Sequence, residues 1–131
     1  MDFSERVNVE IGLETDLAPR EFRQLLDTFS HPLLKANYDI GNSASLGYNI
    51  EEEFNEYGSY INNIHIKDRK RNGGTVPLGT GDADFKKFFE MVQKIGYTGS
   101  FILQAARERS EIETAKKNIA FVKNMLKGRT Q

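Results

Sequence analysis

Apolar and polar residues follow two different periods along the chain. A two-residue alternation, which is typical of β-strands, occurs in four stretches: residues 7–14, 33–39, 61–67 and 99–104. Apolar residues at helical spacing follow each stretch: at residues 19–29, from Asn49 to about Gly58, at residues 85–95 and from Ser110 to Leu126. Strands that alternate with helices pair in parallel, because a crossover helix returns the chain to the end of the sheet where it started. The pattern therefore predicts an α/β fold with four βα units.

Sequence signals also mark where each helix begins. The expected first or capping residues are Pro19, Asn49 with Glu52, either Asp82 or Asp84, and Ser110 with Glu113. In the last helix, one face is expected to pack on the core: Ile112, Ala115, Ile119, Val122 and Leu126. Residues 41–48 and 68–84 are expected to be loops, and His31 is expected to be structural or at the surface. No linker or change of composition divides residues 1–131, which are therefore predicted to form a single domain.

The alternation gives each predicted strand two different faces. One face is mostly apolar and is expected to meet the helices: Val7, Val9, Ile11 and Leu13; Leu34, Ala36 and Tyr38; Asn62, Ile64 and Ile66; Phe101 and Leu103. The other face is unusually polar: Glu10, Gly12 and Glu14; Lys35, Asn37 and Asp39; Asn63 and His65; Ser100, Ile102 and Gln104. A parallel sheet with helices on both sides is apolar on both faces. The polar face therefore favours half of an eight-unit barrel, whose interior opens onto a site, over a small doubly wound sheet.

A polar group lies near the C-terminal end of each predicted strand: Glu14, Asp39, His65 and Gln104. The sites of parallel α/β folds form at those strand ends. Two carboxylates, an imidazole and an amide oxygen that meet there would bind a divalent metal ion. Taken singly, a carboxylate at a strand end is more often an ion-pair partner or a helix cap, and His65 is as often structural. The coincidence of four such positions favours a shared site.

Composition limits the classes of function. The chain has 18 Lys and Arg against 19 Asp and Glu, a net charge of −1, which argues against nucleic-acid binding and membrane-surface binding. No apolar stretch approaches the ~20 residues of a membrane span. The chain has no cysteine, which excludes disulfides, thiolate metal sites and Cys catalysis within it. A cytoplasmic location is expected from this composition.

Several motifs, in order along the chain, resemble one family. They are GLETD at residues 12–16, NYDIGNS at 37–43, HIKDR at 65–69, PLGTGDADF at 77–85 and FILQAAR at 101–107. Together they resemble the sugar-phosphate isomerase/epimerase family, the xylose isomerase-like TIM barrels. A (β/α)₈ barrel typically has about 250 residues, so the resemblance implies the C-terminal half of a barrel, strands five to eight. We expect a second copy or a separate N-terminal half to close it, because a half-barrel leaves two sheet edges unpaired.

The resemblance also implies a set of site residues. The family binds one divalent ion, commonly Mn²⁺, Co²⁺, Mg²⁺ or Zn²⁺. The residues that match its ligands are Glu14, Asp39 and His65, with Gln104 in the place of a second Glu. The candidates for substrate binding are Asn42 and Arg71, by resemblance, and Lys67, Asp68 and Arg107, which follow the strand ends. Lys67 and Arg71 could recognise a phosphate or a polyhydroxyl group.

The implied activity is metal-dependent isomerisation or epimerisation of a sugar or sugar phosphate. An ion that bridges a carbonyl and a neighbouring hydroxyl acidifies the C–H between them, and Glu14 can remove that proton to give an enediolate. Gln104 cannot titrate, so a one-base isomerase and an enzyme that recruits Asp68 or a water both stay open. A non-catalytic half-barrel that keeps the site is an alternative from another class. A nuclease like endonuclease IV is disfavoured, because such enzymes use more histidines than the two present here.

Overall fold

A four-stranded parallel sheet flanked by helices forms the part of the chain that this computed structural model describes, residues 2–128. The helices are α1 (Asp2–Val7), α2 (Pro19–Phe29), α3 (Ile40–Leu46), α4 (Ile50–Tyr57), α5 (Phe85–Lys94) and α6 (Glu111–Lys127). The strands are β1 (Ile11–Leu13), β2 (Leu34–Asp39), β3 (Ile61–Ile66), β4 (Asp68–Arg69), β5 (Thr75–Val76) and β6 (Phe101–Leu103), and a 3₁₀ turn spans Gly58–Tyr60. None of the helices within residues 2–128 has both the length and the apolar character that crossing a bilayer requires.

The strands of the main sheet lie in chain order, β1-β2-β3-β6, and each neighbouring pair is parallel. Their C-terminal ends therefore lie at one end of the sheet. β4 and β5 form a separate antiparallel hairpin inside the expected loop 68–84. The predicted α/β class with a parallel sheet is confirmed. The predicted caps Asn49, Asp84 and Ser110 each accept a backbone hydrogen bond at the start of a helix.

The N-terminal strand is shorter than predicted. Val7 is the last residue of α1, and Asn8 takes a left-handed backbone conformation (φ 53°) after it. β1 is therefore limited to Ile11–Leu13. Val9 and Ile11, expected to meet the helices, are exposed. Val9 lies before β1, and Ile11 has a neighbouring strand on one side only, because β1 lies at the edge of the sheet.

Most of the stretch 41–48, expected to be a loop, lies in helix α3, which ends at Leu46. Asp39 caps this helix, since its side chain accepts a hydrogen bond from the Asn42 backbone N–H at 2.9 Å. Gly47 ends the helix in a left-handed conformation (φ 75°) that favours glycine. Small polar residues have low helix propensity, which hides such a helix from the hydrophobic pattern.

The core lies between the outer face of the sheet and the helices. Its fully buried side chains include, from strands and helices respectively, Tyr38, Ile64 and Ile66, and Leu26, Phe88 and Phe89. Full burial of one such apolar side chain contributes about 1.5–3 kcal/mol. The sheet therefore has one face fixed by packing, which leaves its other face for polar side chains.

The buried face of α6 differs from the one predicted. Three residues expected in the core are exposed: Ile112, Ala115 and Ile119. Val122 is buried as predicted, and Asn118 is buried beside it. The helix is turned so that Phe121 contacts Phe85 of α5, with ring centroids 5.0 Å apart.

The inner face of the sheet is polar, as the alternation predicts. The register places Asn37 beside Asn63 and Asp39 beside His65. The pairing is interrupted once, because Ala36 pairs with Ile61. This leaves one extra residue, Asn62, in β3.

Asn62 was expected to face the helices and points to the inner face instead. Its Nδ2 donates to Glu10 Oε2 at 2.9 Å. Its Oδ1 lies over Gly12, where a Cβ atom would come within 3.0 Å of it. The extra residue is the physical reason, since it shifts the alternation of β3 by one position.

Candidate metal centre

Three of the four predicted metal ligands lie together at the C-terminal end of the sheet. Glu14 follows β1, Asp39 is the last residue of β2, and His65 lies level with Asp39 in β3. One potential ligand atom from each residue lies within 4.8 Å of the other two. Parallel strands bring these residues together because all of them end at the same side of the sheet.

Asp39 and His65 each present a buried atom without a hydrogen-bond partner. Asp39 Oδ1 accepts from the Asn42 backbone, whereas Asp39 Oδ2 faces His65 Nδ1 at 3.7 Å. Neither of these two facing atoms has a hydrogen-bond partner among residues 2–128. Buried polar atoms are nearly always satisfied, so the pair fits a cation. Carboxylate oxygens with an imidazole nitrogen suit a divalent ion such as Mn²⁺, Co²⁺ or Zn²⁺.

A lysine ammonium already lies next to this carboxylate. Lys67 Nζ is 3.2 Å from Asp39 Oδ2, and the Asp39 side chain is 1% exposed. The contact is electrostatic, because Oδ2 accepts no hydrogen bond there. Lys67 therefore offsets the charge of a buried carboxylate that an ion would otherwise neutralise.

Glu14 is the more accessible carboxylate of the cluster. Its Oε1 accepts from Asn42 Nδ2 at 3.1 Å. Partial burial raises the pKa of Glu14, and the neighbouring charge of Asp39 raises it further, while His65 and Lys67 oppose the rise. A carboxylate with a raised pKa is a stronger base than an ordinary one, which suits proton transfer.

Arg69 is a neighbour of the site that sequence reasoning did not single out. Its Nη1 donates to Asn42 Oδ1 at 2.9 Å, and its Nε and Nη2 donate to the Gly73 carbonyl at 3.0 and 2.7 Å. Asn42 thus connects Arg69 to Glu14. The signal was present in the sequence, because His65, Lys67 and Arg69 continue the two-residue alternation of β3.

Residues 1–125 match the profile of the xylose isomerase-like TIM barrels. The chain belongs to this family. Over an alignment of 140 positions, gaps included, it is 26% identical to the L-ribulose-5-phosphate 3-epimerase UlaE of Salmonella paratyphi A, with 98% of the chain and 47% of that enzyme covered. The resemblance seen in the motifs is therefore confirmed.

Two solved structures show the same fold. A D-tagatose 3-epimerase-like protein superposes with a TM-score of 0.76 at 21% identity, over 96% of the chain and 50% of its own length. The IOLI protein, solved with a binding zinc atom, superposes with a TM-score of 0.72 at 20% identity, over 95% of the chain and 50% of its own length. The chain thus spans about half the length of UlaE and of these two proteins.

The remaining predicted site residues of this xylose isomerase-like chain lie at different distances from the cluster. Gln104 follows β6, and its backbone N–H donates to the Ile66 carbonyl at 2.9 Å, which places it beside the end of β3. Arg71 packs over Gly47, where a Cβ atom would lie 2.8 Å from its Cζ. Gly47 ends α3, whereas Asp39 begins it. The structure therefore brings Asn42 and Lys67 to the cluster and places Arg71 at the other end of α3.

Asp68 and Arg107 also lie apart from the three ligands. Asp68 is fully buried and accepts three backbone hydrogen bonds from the loop that follows β5. Arg107 is exposed and lines an open cavity of about 300 Å³ between the end of β6 and α6. His31 is structural, as expected: its Nδ1 accepts from the Leu33 N–H at 3.1 Å, and its Nε2 contacts the Glu5 carboxylate.

A buried glutamate is hydrogen-bonded to side chains next to the site. Glu53 accepts hydrogen bonds from Tyr38 at 2.9 Å, from Tyr57 at 3.1 Å and from Ser43 of α3. Burial raises the pKa of Glu53, and these hydrogen bonds oppose the rise. A cavity of about 20 Å³, room for roughly one water, is lined by both Glu53 and Glu14. The acidic run 51–53 gave no sign of this role, because such runs usually face solvent.

Proposed function

We propose that this chain carries the metal site and the catalytic base of a sugar or sugar-phosphate isomerase or epimerase. Glu14, Asp39 and His65 hold the ion, and Gln104 is a weak fourth ligand through its amide oxygen. The observation that supports this proposal is a pair of buried atoms without a hydrogen-bond partner among the described residues, Asp39 Oδ2 and His65 Nδ1, which face each other beside Glu14. When bound, the ion would supply Lewis acidity to a carbonyl and a neighbouring hydroxyl.

Glu14 is the proposed base. Asn42 donates to its Oε1 and so orients the carboxylate, which would take a proton from the carbon next to the carbonyl of a bound ketose, giving an enediolate. Gln104 cannot return a proton, because its amide does not titrate. Asp68 already accepts three backbone hydrogen bonds. Proton return therefore falls to Glu14 itself, in an isomerase, or to a water, in an epimerase.

A ketose or ketose phosphate is the proposed substrate class, in a cytoplasmic setting. The relative UlaE is named an L-ribulose-5-phosphate 3-epimerase. Asn42 and Arg69 are the polar side chains joined to Glu14, and they are placed to hold substrate oxygens. Lys67 and Arg71 remain candidates for a phosphate, and Arg107 remains a candidate for other contacts with the substrate. The proposed cluster contains one histidine, which gives no support to the endonuclease IV-like alternative.

We also propose that the sheet is strands five to eight of a (β/α)₈ barrel. β1 and β6 each have one free edge within the described chain, and Ile11 and Ile102 are exposed there. A second copy of the chain, or an N-terminal half-barrel, would cover these edges. Light scattering after size exclusion tests the first option. A monomer that turns over ketoses would contradict the need for closure.

The test of the metal site is calorimetric titration of Mn²⁺ and Zn²⁺ into wild type, His65→Ala and His31→Ala. Wild type and His31→Ala should bind one ion equally, because His31 contacts Glu5 and not the cluster. His65→Ala should bind at least about 100-fold more weakly, as expected for loss of a ligand. Equal affinity in the two histidine variants would refute the site. Metal binding without turnover of L-ribulose 5-phosphate by the closed assembly would favour the non-catalytic alternative, to which Gln104 points.

A further inference from the structure

Two amide side chains lie in line behind His65 on the inner face of the sheet. Asn63 Nδ2 donates to Asn37 Oδ1 at 3.0 Å. Asn37 Nδ2 lies 3.5 Å from His65 Nε2. Asn37 pairs with Asn63 across β2 and β3, two residues before Asp39 pairs with His65, so the strand register fixes this line.

Asn37 cannot offer the same group to both neighbours. A primary amide has one donor end and one acceptor end. In the structure its oxygen faces Asn63 and its NH₂ faces His65 Nε2. Nε2 then accepts, which leaves the proton of the neutral ring on Nδ1, toward Asp39 Oδ2 at 3.7 Å.

An ion held between Asp39 and His65 requires the opposite arrangement. A nitrogen that binds a metal must be free of its proton, so the ring would carry its proton on Nε2. A ring N–H opposite a metal-bound nitrogen is usually held by an acceptor. Asn37 can supply that acceptor only by turning its amide. Asn63 must then turn its own amide as well, so that its Oδ1 accepts from the Asn37 NH₂.

We propose that Asn37 sets the tautomer of His65 and that metal binding reverses the direction of the Asn63–Asn37–His65 hydrogen bonds. Nδ1 gives its proton to solvent and Nε2 takes one from solvent, so the change of tautomer leaves the number of protons on the ring unchanged. Asn37 is a positioning residue that acts through His65. The inference rests on the proposed metal site, and it adds a residue that none of the ligand positions includes.

Two substitutions of Asn37 test its role in different ways. Asp at this position can only accept, so Asn37→Asp should place the proton on Nε2 before any metal is added. Asn37→Leu removes both ends of the amide and should weaken Zn²⁺ binding by about 10- to 100-fold. Asn62→Leu is the matched control, because Asn62 lies on the same face of β3 and bonds to Glu10 rather than to His65.

Nitrogen-15 NMR of the two imidazole rings reads the tautomer directly, at a pH of about 8, where an ordinary histidine is neutral. His31→Gln assigns the signals. Wild type and Asn62→Leu should carry the His65 proton on Nδ1 without metal and on Nε2 with Zn²⁺. Asn37→Asp should carry it on Nε2 in both conditions.

The same His65 tautomer with and without Zn²⁺, or a metal-free tautomer unchanged in both Asn37 variants, would overturn the proposal. Far-UV circular dichroism checks that each variant folds. Absence of Zn²⁺ binding by wild type would refute the proposed metal site and the reversal together. The metal-free spectra of the Asn37 variants would still decide whether Asn37 sets the tautomer.

Discussion

Asp68→Asn should destabilise the fold strongly, although it changes only one atom. Asp68 is fully buried, and its Oδ2 accepts from the N–H groups of Gly79 and Gly81 at 2.9 and 2.8 Å, while Oδ1 accepts from Ala83 at 3.1 Å. An asparagine has one oxygen, so at best it keeps two of these bonds. Its NH₂ then faces a third backbone N–H, donor against donor.

The magnitude follows from these three bonds. A hydrogen bond to a charged group contributes about 1.5–3 kcal/mol, and a buried donor left unsatisfied costs about 1–3 kcal/mol. Removing the buried charge itself offsets part of the loss. We therefore expect Asp68→Asn to lower the free energy of unfolding by about 2–5 kcal/mol. The loop that carries Lys67 and Arg69 toward the site would loosen with it.

Urea unfolding followed by circular dichroism measures this loss. Asp84→Asn is the control, because Asp84 is an exposed helix cap that accepts from the Lys87 N–H at 3.0 Å. Asparagine caps a helix about as well as aspartate, so this variant should stay near wild type. A loss for Asp68→Asn no larger than that for Asp84→Asn would refute the role of the three hydrogen bonds.

Three further variants test the site and the core. The raised pKa of Glu14 means that its ionised form destabilises the fold once pH exceeds the ordinary value of 4.5. Glu14→Gln should therefore raise Tm at neutral pH and change it little below pH 4.5. A difference in Tm that does not depend on pH would contradict this. Lys67→Met leaves the buried Asp39 carboxylate without its counter-charge, so Zn²⁺ should raise the Tm of this variant more than that of wild type. Equal rises in Tm would count against the ion pair. Tyr38→Phe removes a buried hydrogen bond to Glu53 and should cost about 1–3 kcal/mol in urea unfolding. Tyr60→Phe, which loses an exposed bond, should cost less than about 0.5 kcal/mol, and equal losses would refute the importance of burial.

The ligand cluster was predictable because it depends on strand ends. Asp39 closes one alternating stretch and His65 lies near the end of the next, and parallel strands necessarily bring such ends together. Helix α2 was predicted at its observed limits, Pro19–Phe29, because proline marks the start and the apolar stripe is unbroken. These features are local in sequence, so the pattern of residues predicts them.

Other features depend on contacts that the pattern does not contain. Helix α3 was missed because its cap, Asp39, also completes a strand. The β4–β5 hairpin includes Arg69, which bonds to Asn42 in the place expected for Arg71. The Gly-rich charged stretch gave no sign of this hairpin. In α6, the buried face depends on where α5 presents Phe85, and helical spacing fits more than one face.

The extra residue Asn62 marks a point in β3 where the strand could be one residue shorter. Ile61 packs toward the core and His65 points to the inner face, although in an unbroken strand residues four apart share a face. Deleting Asn62 would place these two residues three apart, so unbroken alternation would give the same two orientations. A deletion of one residue here therefore leaves His65 level with Asp39. Alignments of relatives can carry a gap at this position without implying that the site has been lost.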